Sequence, residues 1–259
     1  MNKNCQQCKS NQFLEFEISM AFQPIVDLYN FDYYGYEALV RGPNGEGAGS
    51  IFEKVNDDNR YLFDQKCRQK AIELAAKLNL KKFLSINFMP NAVYEPARCI
   101  QTTLDAAKAN NFPLDLIIFE FTENEEVVDK DHLLNIVHDY RKRGFLTAID
   151  DFGSGYSGIN LLSKIDVDVV KLDRELIIDI NEDPRRQRIL RGIYTLLEPI
   201  VKRIVVEGIE TEEELKCLYS MGYRNFQGYV FARPELEALP EVDFERIRKI
   251  LGEKRHYAR

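Results

Sequence analysis

Thr147-Ala148-Ile149-Asp150-Asp151-Phe152-Gly153-Ser154-Gly155 is the stretch on which the reading of this chain turns. The apolar run Phe145 to Ile149 reads as a buried strand. Two adjacent carboxylates follow, then a Gly-Ser-Gly turn. Neighbouring side chains of an extended strand point to opposite faces. Two consecutive acids are therefore expected to aim at one spot only where the strand is ending. Two carboxylates about 4 Å apart repel by roughly 4 kcal/mol at an effective dielectric near 20. A cation or a shared proton offsets that cost. The alternative is a solvated turn, since Asp and Gly are ordinary turn residues.

Working outward, strand-like and helical patterns alternate. Ala21 to Val26 and Phe31 to Val40 read as strands joined around Asp27-Leu28-Tyr29-Asn30, with no helix between them, so one is expected to run antiparallel. Gly42 to Gly49 is a loop. Further strands are predicted at Phe83–Phe88, Leu116–Phe121, Leu146–Ile149, Val167–Leu172, Arg203–Val206 and Phe226–Phe231. Helices are predicted at Tyr61–Leu78, Pro96–Asn110, Asp131–Arg143, Leu161–Ile165, Pro184–Leu197, Thr211–Met221 and Phe244–Leu251. Such alternation implies β-α units around a mostly parallel sheet, and about eight units in 259 residues is the size of a TIM-type barrel. The predicted fold is thus α/β, a modified (β/α)8 barrel with one antiparallel strand. Residues 1–18 read as an N-terminal extension and 19–259 as the barrel, with neither an internal repeat nor an interdomain linker.

Composition narrows the function. A net charge of −7 argues against a nucleic-acid polymer as the main partner. No apolar run reaches the ~20 residues that span a bilayer, and the polar start lacks a signal core, so a soluble, cytoplasmic protein is expected. Five cysteines fit a reducing compartment. Cys5 and Cys8 form a lone C-x-x-C without a second ligand pair, which favours free thiols over a structural zinc site.

The ends of the strand runs carry the chemistry. Glu37, Asn87, Glu120, Asp150, Asp151, Lys171, Glu207 and Gln227 each follow an apolar run and precede a turn or helix. A barrel gathers such ends on one rim, where its active site sits. Any strand meets polar residues on leaving the core, but that does not account for five carboxylates at successive ends. Oxygen donors without His or Cys suit Mg2+ or Mn2+. The charges of the five acids are matched by two divalent ions and Lys171. Two such ions form a clamp for in-line displacement at phosphorus. Asp150 is the candidate bridging ligand, and Lys171 would orient the attacking water or help deprotonate it.

These residues lie in Tyr36-Glu37-Ala38-Leu39-Val40-Arg41, Asn87, Glu120-Phe121-Thr122-Glu123, Asp150-Asp151-Phe152-Gly153-Ser154-Gly155-Tyr156-Ser157, Val170-Lys171-Leu172-Asp173, Glu207-Gly208-Ile209-Glu210-Thr211 and Gln227-Gly228-Tyr229. Their order resembles the EAL-domain cyclic-di-GMP phosphodiesterases, over roughly Ala21 to Pro234. The resemblance implies a bacterial second-messenger hydrolase that opens cyclic di-GMP to linear pGpG. It further implies Glu37, Asn87, Glu120 and Asp150 on one metal, Asp150, Asp151 and Glu207 on the other, and Lys171 on the attacking water. Gln23, Leu39, Arg41 and Gln227 would contact the nucleotide, with Arg41 suited to its phosphate. Glu123 would anchor the loop Asn124 to Lys130, which couples a homodimer contact to the metals, and Glu210 would support the site from behind. Both acids are alternatively ordinary helix-start carboxylates. Gly42-Pro43-Asn44-Gly45 after Arg41 is similar to the variant of light-sensor-coupled members. With no sensor in the chain, regulation is expected from a separate protein, dimerisation or the N-terminal tail. The competing reading is a catalytically silent module that binds cyclic di-GMP or a protein.

Overall fold

The computed structural model describes residues 14–93, 95–122, 130–155 and 158–253. Cys5, Cys8, Glu123, Tyr156, Ser157 and the loop expected before Lys130 lie outside them.

Strands β1 (Ser19–Asp27) and β2 (Asp32–Arg41) form an antiparallel hairpin that pairs Gln23 with Glu37. Then follow α1 (Ala48–Phe52), α2 (Arg60–Lys77), β3 (Phe83–Asn87), α3 (Pro96–Cys99), α4 (Gln101–Ala109), β4 (Ile117–Thr122), α5 (Lys130–Lys142), β5 (Leu146–Phe152) and α6 (Gly158–Leu162). The chain continues through β6 (Val169–Leu172), α7 (Pro184–Leu197), β7 (Arg203–Val206), α8 (Glu212–Ser220), β8 (Asn225–Phe226), β9 (Glu235–Leu236) and α9 (Phe244–Leu251). Neighbours from β2 to β8 are parallel, and β1 closes the ring by pairing antiparallel with both β8 and β2. Strand β9 adds to the edge of β1. The result is the expected closed barrel of eight strands, with β1 as the antiparallel one.

Several boundaries differ from the sequence reading. The helix expected over Pro96–Asn110 is two, with Ile100 between them. The Cys99 carbonyl accepts from the Gln65 side chain at 2.9 Å, and the Thr103 N–H turns to Ile100 instead. The last barrel strand stops at Phe226 rather than Phe231. There Gly228 lies against the Ile209 backbone, whose N and O are 2.3 and 2.1 Å from where a Cβ would stand. The short helix expected at Leu161–Ile165 begins earlier, at Gly158. Helices α7 and α9 and strand β7 fall on their expected bounds, and Thr211 and Glu214 make the anticipated capping box at α8. Among the described residues, no helix is long and apolar enough to cross a membrane.

The main apolar core lies between the strands and the surrounding helices. A smaller cluster that includes Ile118, Ala148, Val169 and Val205 lies at the strand positions two before Glu120, Asp150, Lys171 and Glu207. Period-two alternation therefore lifts those four side chains onto the same face, one layer nearer the rim. Beneath β4, Phe119 packs against Phe88, Tyr140 and Phe145 at centroid distances of 5.8, 4.9 and 5.0 Å. Truncating so enclosed a ring removes apolar contact and leaves a cavity. Phe119→Ala is expected to cost about 3–5 kcal/mol in chemical denaturation. A midpoint unchanged from that of the unsubstituted protein would contradict this account of the core.

Candidate active site

The sequence expectation that β5 ends at the acids is corrected by the structure, since the strand runs on to Phe152. Between Ile149 and Phe152, β5 spends one residue more than β6, and Asp151 takes φ +54. This bulge, in a conformation that Asp tolerates better than most side chains, lets two consecutive carboxylates line one site.

Lys171 stands at the centre. Its Nζ lies 2.7 Å from Glu207 Oε1, 2.8 Å from Glu120 Oε2, 3.1 Å from Asp150 Oδ1 and 3.3 Å from Glu37 Oε2. Glu37 is further held by Asn87 Nδ2 and Gln227 Nε2, each donating at 2.8 Å. Gln227 Nε2 also reaches Gln23 Oε1 at 3.1 Å, and Gln23 donates to the Ala232 carbonyl at 3.2 Å. Residues from the ends of six strands, β3 to β8, and from the β1–β2 hairpin thus meet around one ammonium group.

The charges govern the protonation states. Burial pushes the Glu120 carboxyl up to about 8, helped by the charges of Glu37 and Asp150 and opposed by Lys171. Glu207 is likewise held well above the usual carboxylate range, by burial and then by Asp150. Asp151 is pushed up to about 6 by burial, Asp150 and Asp173. For Lys171, burial opposes the charge, but Asp150, Glu120, Glu207 and Glu37 outweigh it and keep the proton on.

One ammonium cannot neutralise five acids. Ligand atoms of Glu37, Glu120 and Asp150 lie within 4.8 Å of one another, as do those of Asp150, Asp151 and Glu207. Asp150 belongs to both groups, and its buried Oδ1 has the Lys171 ammonium 3.1 Å away but accepts no well-aligned hydrogen bond. Clustered hard oxygens that outnumber the one cation beside them fit divalent cations of the Mg2+ or Mn2+ type.

Two cavities meet at this cluster. One, of about 680 Å³, is bounded by Leu39, Arg41, Phe52, Phe63 and Met89, and the other, of about 300 Å³, by Gln23, Arg174, Gln227 and Tyr229. Glu37, Asp150 and Asp151 border both. Leu39 and Arg41 thus fall on the first cavity and Gln23 and Gln227 on the second. Glu210, expected to support the site, borders the second cavity and pairs with Arg174 at 3.0 Å. The wall from α1 and α2, and Arg174, escaped the sequence reading. Residues of α1 fall in and just after the expected Gly42–Gly49 loop and those of α2 read only as a helix stripe, whereas Arg174 directly follows Asp173 in a motif already singled out.

The family model of the EAL domain matches residues 8–234. The chain belongs to the EAL domain family. A standalone EAL protein from Vibrio cholerae O395, solved in its c-di-GMP-bound form, is 51% identical, with a TM-score of 0.87 over 90% of this chain and 99% of that one. A manganese and cyclic-diGMP complex of Klebsiella pneumoniae BlrP1 is 34% identical, with a TM-score of 0.83 over 90% of this chain and 60% of that one. The blue light- and temperature-regulated antirepressor BluF of Escherichia coli K12 is 30% identical over 223 residues, which are 86% of this chain and 55% of BluF. This EAL chain therefore spans about half of that curated relative, and its likeness to a light-regulated member agrees with the Gly42-Pro43-Asn44-Gly45 variant. Other curated relatives are named as cyclic di-GMP phosphodiesterases.

An acid whose native pKa exceeds its unfolded one retains a proton on folding, so it withdraws stability as pH rises through that interval. For Asp151 the interval runs from 3.8 to about 6. In metal-free buffer, Asp151→Asn is expected to melt above the unsubstituted protein at pH 7, with the gap closing toward pH 4. Added Mn2+ should reverse the order, because it stabilises the carboxylate form. Identical melting curves at all pH values would contradict the placement of Asp151 among the acids.

Proposed function

We propose that this chain is a phosphodiesterase that hydrolyses cyclic di-GMP to linear pGpG with two divalent cations, Mg2+ or Mn2+. The observation that carries the reading is the pair of carboxylate groups sharing Asp150 where the two cavities meet. Glu37, Asn87, Glu120 and Asp150 would hold one cation, and Asp150, Asp151 and Glu207 the other. When bound, such ions activate water and neutralise charge on a phosphodiester. The chain's own groups supply the positioning. Lys171, kept protonated by its acids, would donate a hydrogen bond that orients the attacking water. Arg41, on the wall of the larger cavity, offers a guanidinium to the phosphate. Its Nη1 now donates to the Val40 carbonyl at 2.7 Å, leaving its other donors for a ligand. Gln23 and Gln227 would fix the second half of the nucleotide while keeping Glu37 oriented.

A second reading, a module that binds cyclic di-GMP or a protein without turnover, is favoured by the name of one relative, an antirepressor. Purified protein incubated with cyclic di-GMP and Mg2+ or Mn2+ separates the two. The phosphodiesterase forms pGpG with either metal or both, and the binding module returns the ligand intact. Glu37→Ala removes a proposed metal ligand. It is expected to lower turnover by more than the roughly 10–100-fold typical of losing a supporting partner. Undiminished turnover in that variant would remove Glu37 from the metal site.

A further inference from the structure

We propose that Arg174 is a positioning residue for Glu207, and that position 208 is glycine because the Arg174 side chain lies across it. Arg174 opens the short 3-10 turn Arg174–Leu176 after β6. Its guanidinium reaches over to the end of β7, where Nη1 donates to the Gly208 carbonyl and Nη2 pairs with Glu210 at 3.0 Å. Nη1 also lies 3.9 Å from Glu214 Oε2, the oxygen that accepts from the backbone N–H groups of Glu210 and Thr211 at 3.0 and 3.1 Å. One side chain thus grips the link from β7 to α8 at the carbonyl next to Glu207, at Glu210, and at the cap that starts the helix.

Glu207 is the first residue of that link. Its N–H donates to the Leu172 carbonyl at 3.1 Å, and its carboxylate meets Lys171. The Gly208 carbonyl that Arg174 holds belongs to the second peptide after the Glu207 Cα, so the contact fixes the turn by which the chain leaves Glu207.

Gly208 is an independent observation. It has φ +67, and a Cβ there would stand 2.7 Å from Arg174 Cβ and 2.9 Å from its Cγ and Cδ. A side chain at 208 and the observed path of Arg174 exclude each other. An exposed ion pair alone would carry little energy. Arg174, however, is two-thirds covered, packs its stem on glycine and donates to a backbone carbonyl.

The inference rests on the reading that Glu207 helps hold a cation. It is tested by calorimetric titration of the whole chain with Mn2+ alone, and by steady-state kinetics with cyclic di-GMP. The unsubstituted protein should bind two Mn2+. Arg174→Met is expected to weaken one of the two by about 10-fold or more and leave the other unchanged. Its kcat should fall at fixed Mn2+, with KM and the melting temperature little altered. Arg174→Lys should restore part of the loss, and Gly208→Ala, which displaces the arginine, should reproduce it. Unchanged Mn2+ binding with a raised KM would make Arg174 a substrate contact and overturn the proposal. Equal weakening of both ions together with a lowered melting temperature would overturn it in favour of a general folding role. If the unsubstituted protein bound no Mn2+, the cation reading and this inference would fall together.

Discussion

Four carboxylates lie within 3.3 Å of a single ammonium group at the C-terminal rim of the barrel. The rest of the structure depends on that contact. Like charges at such spacing repel by several kcal/mol per pair even at an effective dielectric near 20. Lys171 lowers this cost but leaves a net negative centre, because Asp151 borders the same place. Burial, and after it the residual negative charge, raises the carboxyls of Glu120 and Glu207, and that charge makes the site a strong attractor of cations. Stability and chemistry are opposed here. A chain built only for stability would not gather these acids, and their convergence marks a site that expects a ligand of the opposite sign.

The barrel delivers the acids by two simple devices. Parallel strands bring their C-terminal ends to one side, and alternation places Glu120, Asp150, Lys171 and Glu207 one layer above Ile118, Ala148, Val169 and Val205. The bulge in β5 then adds what alternation forbids, a second consecutive carboxylate. The antiparallel β1 contributes Gln23, aligned in register with Glu37. The polar groups that surround the acids are thus fixed by backbone pairing, which resists the repulsion among them.

Much of this was legible in the amino-acid order. Strand-end acids are conspicuous because each follows a short apolar run, and the missing helix between the first two strands pointed to the antiparallel strand. What stayed hidden depends on contacts far apart in the chain. The break at Ile100 arises from Gln65, which captures the Cys99 carbonyl from another helix. The bulge at Asp151 is visible only against the register of β6. Glu210 had a foreseeable place beside the site, but its partner Arg174 lies on the preceding strand's turn. The apolar wall was hidden because Phe52 lies in no expected element and Phe63 reads as ordinary helix packing, since nothing in a periodic pattern tells which edge faces a cavity.

The central claim is that these acids form one composite site for paired cations. Anomalous diffraction from crystals grown with Mn2+ and cyclic di-GMP measures it most directly. The account predicts two anomalous peaks, one beside Glu37, Asn87, Glu120 and Asp150 and one beside Asp150, Asp151 and Glu207, with Asp150 touching both. Peaks elsewhere on the molecule, or none while Lys171 keeps its four carboxylates to itself, would contradict it.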